Sequence, residues 1–335
     1  MKVVAIGGGM GLSTLLRGLK LHVDEVARPA VRQPVITRLT AVVTVTDEGG
    51  SSGRLRREFR ILPPGDIRNC LVALAEDEKL LTQIFNYRFA DGGGLKGHSL
   101  GNLLLTALTH LTHDFGKAVQ LSSEVLAIRG EIYPSTLSDV RLRARLRNGK
   151  VISGESQITA TRVPIRRLEI VPRRCRPLPE TLAAIEAADL ISLGPGSLYT
   201  SLIPNLLVHG IPEAIARSRA VKVYIGNLMT QPGETRGYTA CDHLRSLHNH
   251  VGGRLFDYAI VNTRELSPAL RRRYAAERAE PVRNDLAEVR ALGVEPVTAP
   301  LLLEDHVARH DARRLAELLL ALAEARKQRF VLTSR

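Results

Sequence analysis

A three-layer α/β domain with a mostly parallel sheet and one β-hairpin excursion is the fold the sequence predicts, and three observations predict it. The chain opens on a short apolar run, a glycine loop and apolar residues at helical spacing, MKVVAIGGGMGLSTLLRGLK, the pattern of strand, tight turn and helix. Its second half alternates continuous apolar runs with amphipathic stretches, as parallel strands buried on both faces do. Between the two lies a segment of strict two-residue alternation, the mark of a half-exposed antiparallel strand.

In chain order, Leu12, Leu15, Leu16 and Leu19 give the first helix its apolar face. A second strand, LTAVVTV, runs to Asp47 after a Pro- and Arg-containing connection from Asp24 to Arg38 that reads as an insertion loop. From PPGDIRNCLVALAED through HSLGNLLLTALTHLTHDFGKAVQLSSEVLAI the pattern is helical, with Asp66 and Ser99 placed as N-caps and DGGGLKG as a break. The period then changes. Val140, Leu142, Ala144 and Leu146 alternate with Arg141, Arg143, Arg145 and Arg147, and Asn148-Gly149 supplies a two-residue hairpin turn. Strand and helix alternate again in ADLISLGPGS, PNLLVHGIPEAIARS, AVKVYIGN, YTACDHLRSLHNHVG and FDYAIVN, and an amphipathic helix at about 308–327 closes the chain. With no repeat, low-complexity tract or linker, residues 1–335 read as one large domain, its excursion at about 139–171.

Composition narrows the function. A formal net charge of +13 and a pI of about 10.1 raise nucleic acid, anionic membrane and phosphorylated ligands as partners. Aromatic residues are only 4% and Trp is absent, so bases would find little to stack on, and the arginines are spread rather than gathered in a tail. An arginine-rich solvated surface is the plainer reading. Cys70, Cys175 and Cys241 form no C-x-x-C pair, so they read as buried, reduced thiols. No signal-peptide core or membrane-length apolar run is present, which points to a cytoplasmic protein.

The glycines at 7, 8, 9 and 11 would let backbone amides approach an anion at a helix N-terminus. They match neither the dinucleotide fingerprint nor a Walker A loop, and a tight turn would explain them equally. Asp47 at a strand end is placed to take ribose hydroxyls, to hold Mg²⁺ together with Glu48, or merely to face solvent. Gly49, Ser51 and Gly53 satisfy G-x-S-x-G, but two acids before the first glycine spoil a nucleophile elbow and would disfavour an oxyanion. Ser51 and Ser52 with Arg54 suit a phosphate cradle better. His98 could act as a general base beside Ser99 and Asn102, or be a satisfied histidine next to a cap. GPGSLYTSLIPN and GNLMTQPGET add small and amide residues at further strand ends, so four loops on one sheet edge would surround one ligand. No histidine spacing supports zinc, and no catalytic residue is assigned.

GGGMGLSTLLRGLK, VVTVTDEGGSSGRLR, PPGDIRNCLVAL, GHSLGNLLLTAL, PSTL, GESQI, ADLISLGPGSLYTSLIPNLLV and VYIGNLMTQPGETRGYTACDH, in that order, resemble the YvcK family of gluconeogenesis factors, distant relatives of the CofD-like 2-phospho-L-lactate transferases. The resemblance implies a cytosolic bacterial protein with a Rossmann-like α/β/α fold. It would bind a UDP-sugar, UDP-N-acetylglucosamine or UDP-glucose, and serve cell shape and peptidoglycan precursor supply during gluconeogenic growth. Binding roles would fall on Gly8, Gly9, Asp47, Ser51, Arg54, Asp66, Asn69, His98, Asn102, Gly196, Ser197, Thr200, Asn227, Gln231 and Tyr238, with Met10, Gly11 and Ser52 beside them. No cofactor is required on this reading. The alternative is a metal-dependent transferase acting on a nucleotide-linked phosphate, with Mg²⁺ at Asp47. A homo-oligomer is expected, with a regulatory protein or Ser/Thr kinase as partner and neither membrane insertion nor nucleic acid. Two departures stand out: the family pattern has two aspartates where this chain has Asp47-Glu48, and the connection from Asp24 to Arg38 is longer and more basic.

Overall fold

The computed structural model describes residues 1–23, 36–76 and 80–333, so residues 24–35 of the basic connection lie outside the described residues. KVVAIG forms β1 (Lys2–Gly7) and the leucine-spaced segment forms α1 (Gly9–Lys20). Strand β2 (Arg38–Val43) stops short of Asp47. Beyond it Thr44 and Thr46 bond each other at 2.9 Å and Thr46 donates to the Thr200 carbonyl, so the side chains draw the backbone out of the ladder. Helices α2 (Gly50–Phe59), α3 (Gly65–Leu74), α4 (Leu80–Asn86), α5 (Leu100–Thr112) and α6 (Phe115–Val125) follow, then a strand the sequence did not announce, β3 (Glu131–Pro134). The excursion comprises β4 (Arg141–Leu146), β5 (Val151–Ser153), α7 (Glu155–Ala160) and β6 (Ile165–Val171). After α8 (Pro179–Glu186) come β7 (Leu190–Leu193), a π-turn at Leu198–Leu202, α9 (Ile203–Leu206), α10 (Ile211–Arg217) and β8 (Val221–Ile225). The chain continues through α11 (Ala240–Val251), β9 (Tyr258–Asn262), α12 (Pro268–Ala276), α13 (Leu286–Ala291), β10 (Glu295–Ala299), β11 (Leu302–Glu304), β12 (Ala308–His310) and α14 (Ala312–Thr333).

Seven parallel strands make one sheet in the order β10-β9-β8-β7-β1-β2-β3. From β1 the chain moves outward to β3, then returns to the far side of β1 at β7 and moves outward again to β10. The border of β1 and β7 is therefore the topological switch point, where loops diverge and leave a crevice. Consecutive residues of β1, β2 and β7 are buried, and since successive side chains point to opposite faces, helices must cover both. Helix α1 presents Leu12, Leu15, Leu16 and Leu19 to the core between α3 and α14, whose Leu315, Leu319 and Leu320 are also buried. Each such leucine contributes roughly 1.5–3 kcal/mol.

The excursion is a three-stranded antiparallel sheet, β5-β4-β6, whose burial alternates along β4 as the Arg/Leu pattern predicts. It is fastened to the loop after β2. Glu48 N donates to Glu155 Oε2 at 2.8 Å while Glu155 N donates to Glu48 Oε2 at 3.1 Å, and Arg56 donates to Asp139 and the Val140 carbonyl.

Three local expectations need correction. Asp66 is not an N-cap: Pro64 holds that position, and Asp66 is half-buried in the first turn of α3. The terminal helix starts at Ala312 rather than 308, because Ala308–His310 pair with Leu302–Glu304 and Asp311 accepts from Arg314 N at 3.0 Å, as a cap does. Asp47 sits in a loop beyond β2 instead of ending the strand. Ser99 does cap α5, accepting from Asn102 N. The three cysteines are buried and free, and among the described residues no helix is long and apolar enough to cross a membrane.

Candidate functional site

The loops after β8, β7, β1 and β2 belong to four adjacent strands, so residues 226–231, 194–197, 8–11 and 44–50 line one sheet edge in that order. Their glycines permit close approach. A Cβ on Gly8 would stand 2.6 Å from Thr44 Cγ2 and 2.7 Å from an Asp66 carboxylate oxygen, and one on Gly11 would stand 2.2 Å from the Pro195 carbonyl oxygen.

Helix starts differ in how their leading amides are met. Helices α5, α6 and α11 are capped by Ser99, Asp114 and Thr239. Helices α1 and α2 start at Gly8 and Gly49 with no side-chain cap and no acid in the first turn. The leading amides are partly taken from elsewhere in the chain, Gly9 N by Asp66 and Gly49 N by Asp47, so only the remaining first-turn amides and the positive ends of the dipoles are open to an anion.

Three cavities run along the edge. One of about 350 Å³ is lined by Gly8, Gly9, Met10, Gly11, Gly196, Ser197, Asn227 and Gln231, which brings eight of the predicted residues together at the switch point. A neighbour of about 570 Å³ shares Met10 and Gly11 with it and adds Asn69, Arg17, Arg68, Arg309 and His310, with no carboxylate among its described lining residues. On the other side a cavity of about 280 Å³ takes in Asn227, Asn262, Arg264, Arg271 and Asn284.

The remaining predicted residues support these walls from behind. Ser51 Oγ lies 2.9 Å from His98 Nδ1 and accepts from Asn102 Nδ2 at 3.1 Å. The Ser51 hydroxyl keeps a second lone pair and a rotatable proton, so it can meet either tautomer of His98. Burial and then Arg54 hold the imidazole below its ordinary pKa, so it is neutral and can accept. Ser52 is buried on the next position of α2. Arg54 does not reach forward unencumbered: its Nη2 donates to the Lys96 carbonyl at 2.6 Å. Asp66 accepts from the Gly9 amide, and burial together with the nearby Asp47 pushes it up to about 7. Asp47 itself accepts from Gly49 N at 2.8 Å. Thr200 and Tyr238 are turned inward, Thr200 Oγ1 to Glu234 Oε1 at 3.0 Å and the Tyr238 hydroxyl to that of Tyr199 at 3.0 Å.

Several residues escaped the sequence reading. Glu155 joins Asp47 and Asp66 in a carboxylate group, its pKa raised first by burial and then by those two acids. Glu234, buried and raised for the same first reason, accepts from Tyr199 N at 2.9 Å and thereby ties the β7 loop to the β8 loop. Gln231 Nε2 and Asn227 Oδ1 add further ties to Ser197 Oγ at 2.7 Å and to Gly196 N at 3.4 Å. Arg68 donates to Ser99 Oγ and Asn69 Oδ1, leaving its buried Nε without a partner. The segments GES and QPGET did carry a signal, an acid beside glycine, but nothing local distinguishes such an acid from a solvated one.

Comparison with known proteins places this arrangement among relatives. The model of the family described as 2-phospho-L-lactate transferase CofD matches residues 3–302. A gluconeogenesis factor of Halalkalibacterium halodurans is 48% identical over 319 residues, spanning 95% of each chain. Another from Bacillus subtilis is 47% identical over 322 residues, 96% of this chain and 98% of that one. A crystal structure of a Bacillus halodurans protein matches with a TM-score of 0.89 at 48% identity, covering 95% of this chain and 99% of its own.

Proposed function

We infer a function from the premise that the chain belongs to the 2-phospho-L-lactate transferase CofD family: it binds a UDP-sugar across the crevice between β1 and β7 and acts as a regulatory protein. UDP-N-acetylglucosamine and UDP-glucose are the ligands proposed, with no cofactor required. The name gluconeogenesis factor, borne by its relatives, supports a link to growth on gluconeogenic carbon, and cell shape and cell-wall precursor supply are the processes proposed to depend on it. One observation carries the reading. The uncapped N-terminus of α1 opens at Met10 and Gly11 onto an acid-free cavity holding Arg17, Arg68 and Arg309, an electrostatic setting suited to a diphosphate.

Asp47 and Asp66 favour a second reading, a transferase acting on a nucleotide-linked phosphate. The repulsion that raises Asp66 would be relieved by a divalent cation. Glu155 lies near both acids, but among the described residues no three His, Cys, Asp or Glu side chains are arranged to hold a metal, so Asp47 and Asp66 would hold Mg²⁺ with waters completing its shell. The ion would neutralise phosphate charge.

A thermal-shift panel of UDP-N-acetylglucosamine, UDP-glucose, NAD and GTP, each with and without Mg²⁺, separates the two. Ligand at a hundredfold over its Kd adds about 2.7 kcal/mol. A shift confined to UDP-sugars and indifferent to Mg²⁺ supports the sensor. A shift that requires Mg²⁺ favours the transferase, and no shift with any UDP-sugar rejects the first reading. Arg17 is exposed and makes no bond in the described structure, so Arg17→Ala is expected to weaken UDP-sugar binding by roughly 1.5–3 kcal/mol in calorimetry while the melting temperature holds.

A further inference from the structure

The arginine stripe takes no part in the crevice; it lies on the outer face of the three-stranded sheet. Strands β4 and β6, RLRARL and IRRLEIV, carry five arginines against one glutamate. Because Leu142, Ala144 and Leu146 point inward, Arg141, Arg143 and Arg145 share the outer face at every second residue, about 6.8 Å apart. Val171, Glu169 and Arg167 stand directly opposite them on β6. Glu169 is already occupied by Arg143 at 2.7 Å and by Arg173. Arg145 and Arg167 therefore face each other across the ladder, and among the described residues neither has a carboxylate partner. Like charges directly opposite destabilise an antiparallel pair. The register shift beside them leaves Arg166 unpaired and exposed as well. Val151 and Val171, 45% and 40% exposed, sit on the same face at its two margins.

We propose that this face docks an acidic, extended segment of a partner protein, whose carboxylates pair with Arg141, Arg145 and Arg167. Charge complementarity selects the occupant: a cationic face that cannot neutralise itself is relieved by an anion. Extended chains repeat same-side residues at the spacing of the stripe, so acids at alternate positions meet the arginines in register. The planar guanidinium fork adds bidentate geometry. A polypeptide is favoured over nucleic acid because the marginal valines offer apolar contact to side chains, and because none of the three strands bears an aromatic residue on which a base could stack.

The test measures fluorescence anisotropy of a labelled peptide alternating glutamate and threonine. A peptide of the same composition with its glutamates in one block and a short DNA duplex serve as the comparisons. The alternating peptide is expected to bind more tightly than either, and the double variant Arg145→Thr, Arg167→Thr to lose at least roughly tenfold. That variant should melt no lower than the unsubstituted chain, since it removes a like-charge pair and places a good strand former at both positions. Equal binding of the block peptide, or full binding by the variant, overturns the proposal. Tighter binding of the duplex, lost in the same variant, assigns the face to nucleic acid instead, and a lower melting temperature refutes the like-charge argument.

Discussion

Asp66 shows how position alters what a side chain does. From the sequence it reads as a helix cap, because an acid followed by an apolar helical run has that appearance. Pro64 and Gly65 start the helix earlier, so the carboxylate turns toward the Gly9 amide and is buried beside Asp47. Its pKa of about 7 lies above the unfolded value near 3.9, so the folded state binds the extra proton. Stability from this group is accordingly highest below about pH 4 and falls as pH rises toward 7. Asp66→Asn, which can still accept from Gly9, removes the penalty and is expected to stabilise the ligand-free protein at pH 8, by roughly 4 kcal/mol at most. The gain should shrink as pH falls to 5. Urea unfolding at both pH values measures it, and an equal gain at each would return Asp66 to the ordinary carboxylate range.

Elements were readable in proportion to the clarity of their apolar pattern. The apolar runs that became β1, β7, β8 and β9 and the alternating segment that became β4 announced themselves. EIYP and EPVTA did not: β3 and β10 are no shorter than β7 and β8, but each contains a proline and lies at a sheet edge where fewer residues need be apolar. The glycine loops were readable because few other residues permit such close approach. Their supports were not, since Glu155 reaches Glu48 across 107 residues and Glu234 reaches Tyr199 across 35. Glu234 is the support with the clearest consequence. It accepts a backbone amide and a buried hydroxyl from the turn at Leu198–Leu202, and Glu234→Ala would leave both donors unpaired. At about 1–3 kcal/mol for each orphaned group, a loss of roughly 2–6 kcal/mol is expected, together with faster hydrogen exchange in residues 197–202. Exchange unchanged there would mean that the β7 loop holds its shape without the β8 loop.

For the molecule as a whole, the switch between β1 and β7 makes one crevice the meeting point of two sequence halves, and this is why the gathering of four loops on one sheet edge could be anticipated while the side chains behind them could not. The halves meet under a net charge of +13, so general self-repulsion makes the fold sensitive to salt, and the proposed anion site would do so as well. Their signatures differ. Screening depends on ionic strength alone, with a Debye length shrinking from about 10 Å at 0.1 M to about 3 Å at 1 M. Binding at the proposed site beside α1 would depend on the anion and saturate. Pyrophosphate at millimolar concentration, with ionic strength held constant by sodium chloride, is therefore expected to raise the melting temperature further than chloride alone, along a saturating curve. Arg17→Ala should reduce that increment, whereas Arg145→Thr, on the remote sheet, should leave it intact. If pyrophosphate matched chloride at every ionic strength, the uncapped helix ends would be hydrated termini, and the diphosphate reading of the crevice would lose its electrostatic basis.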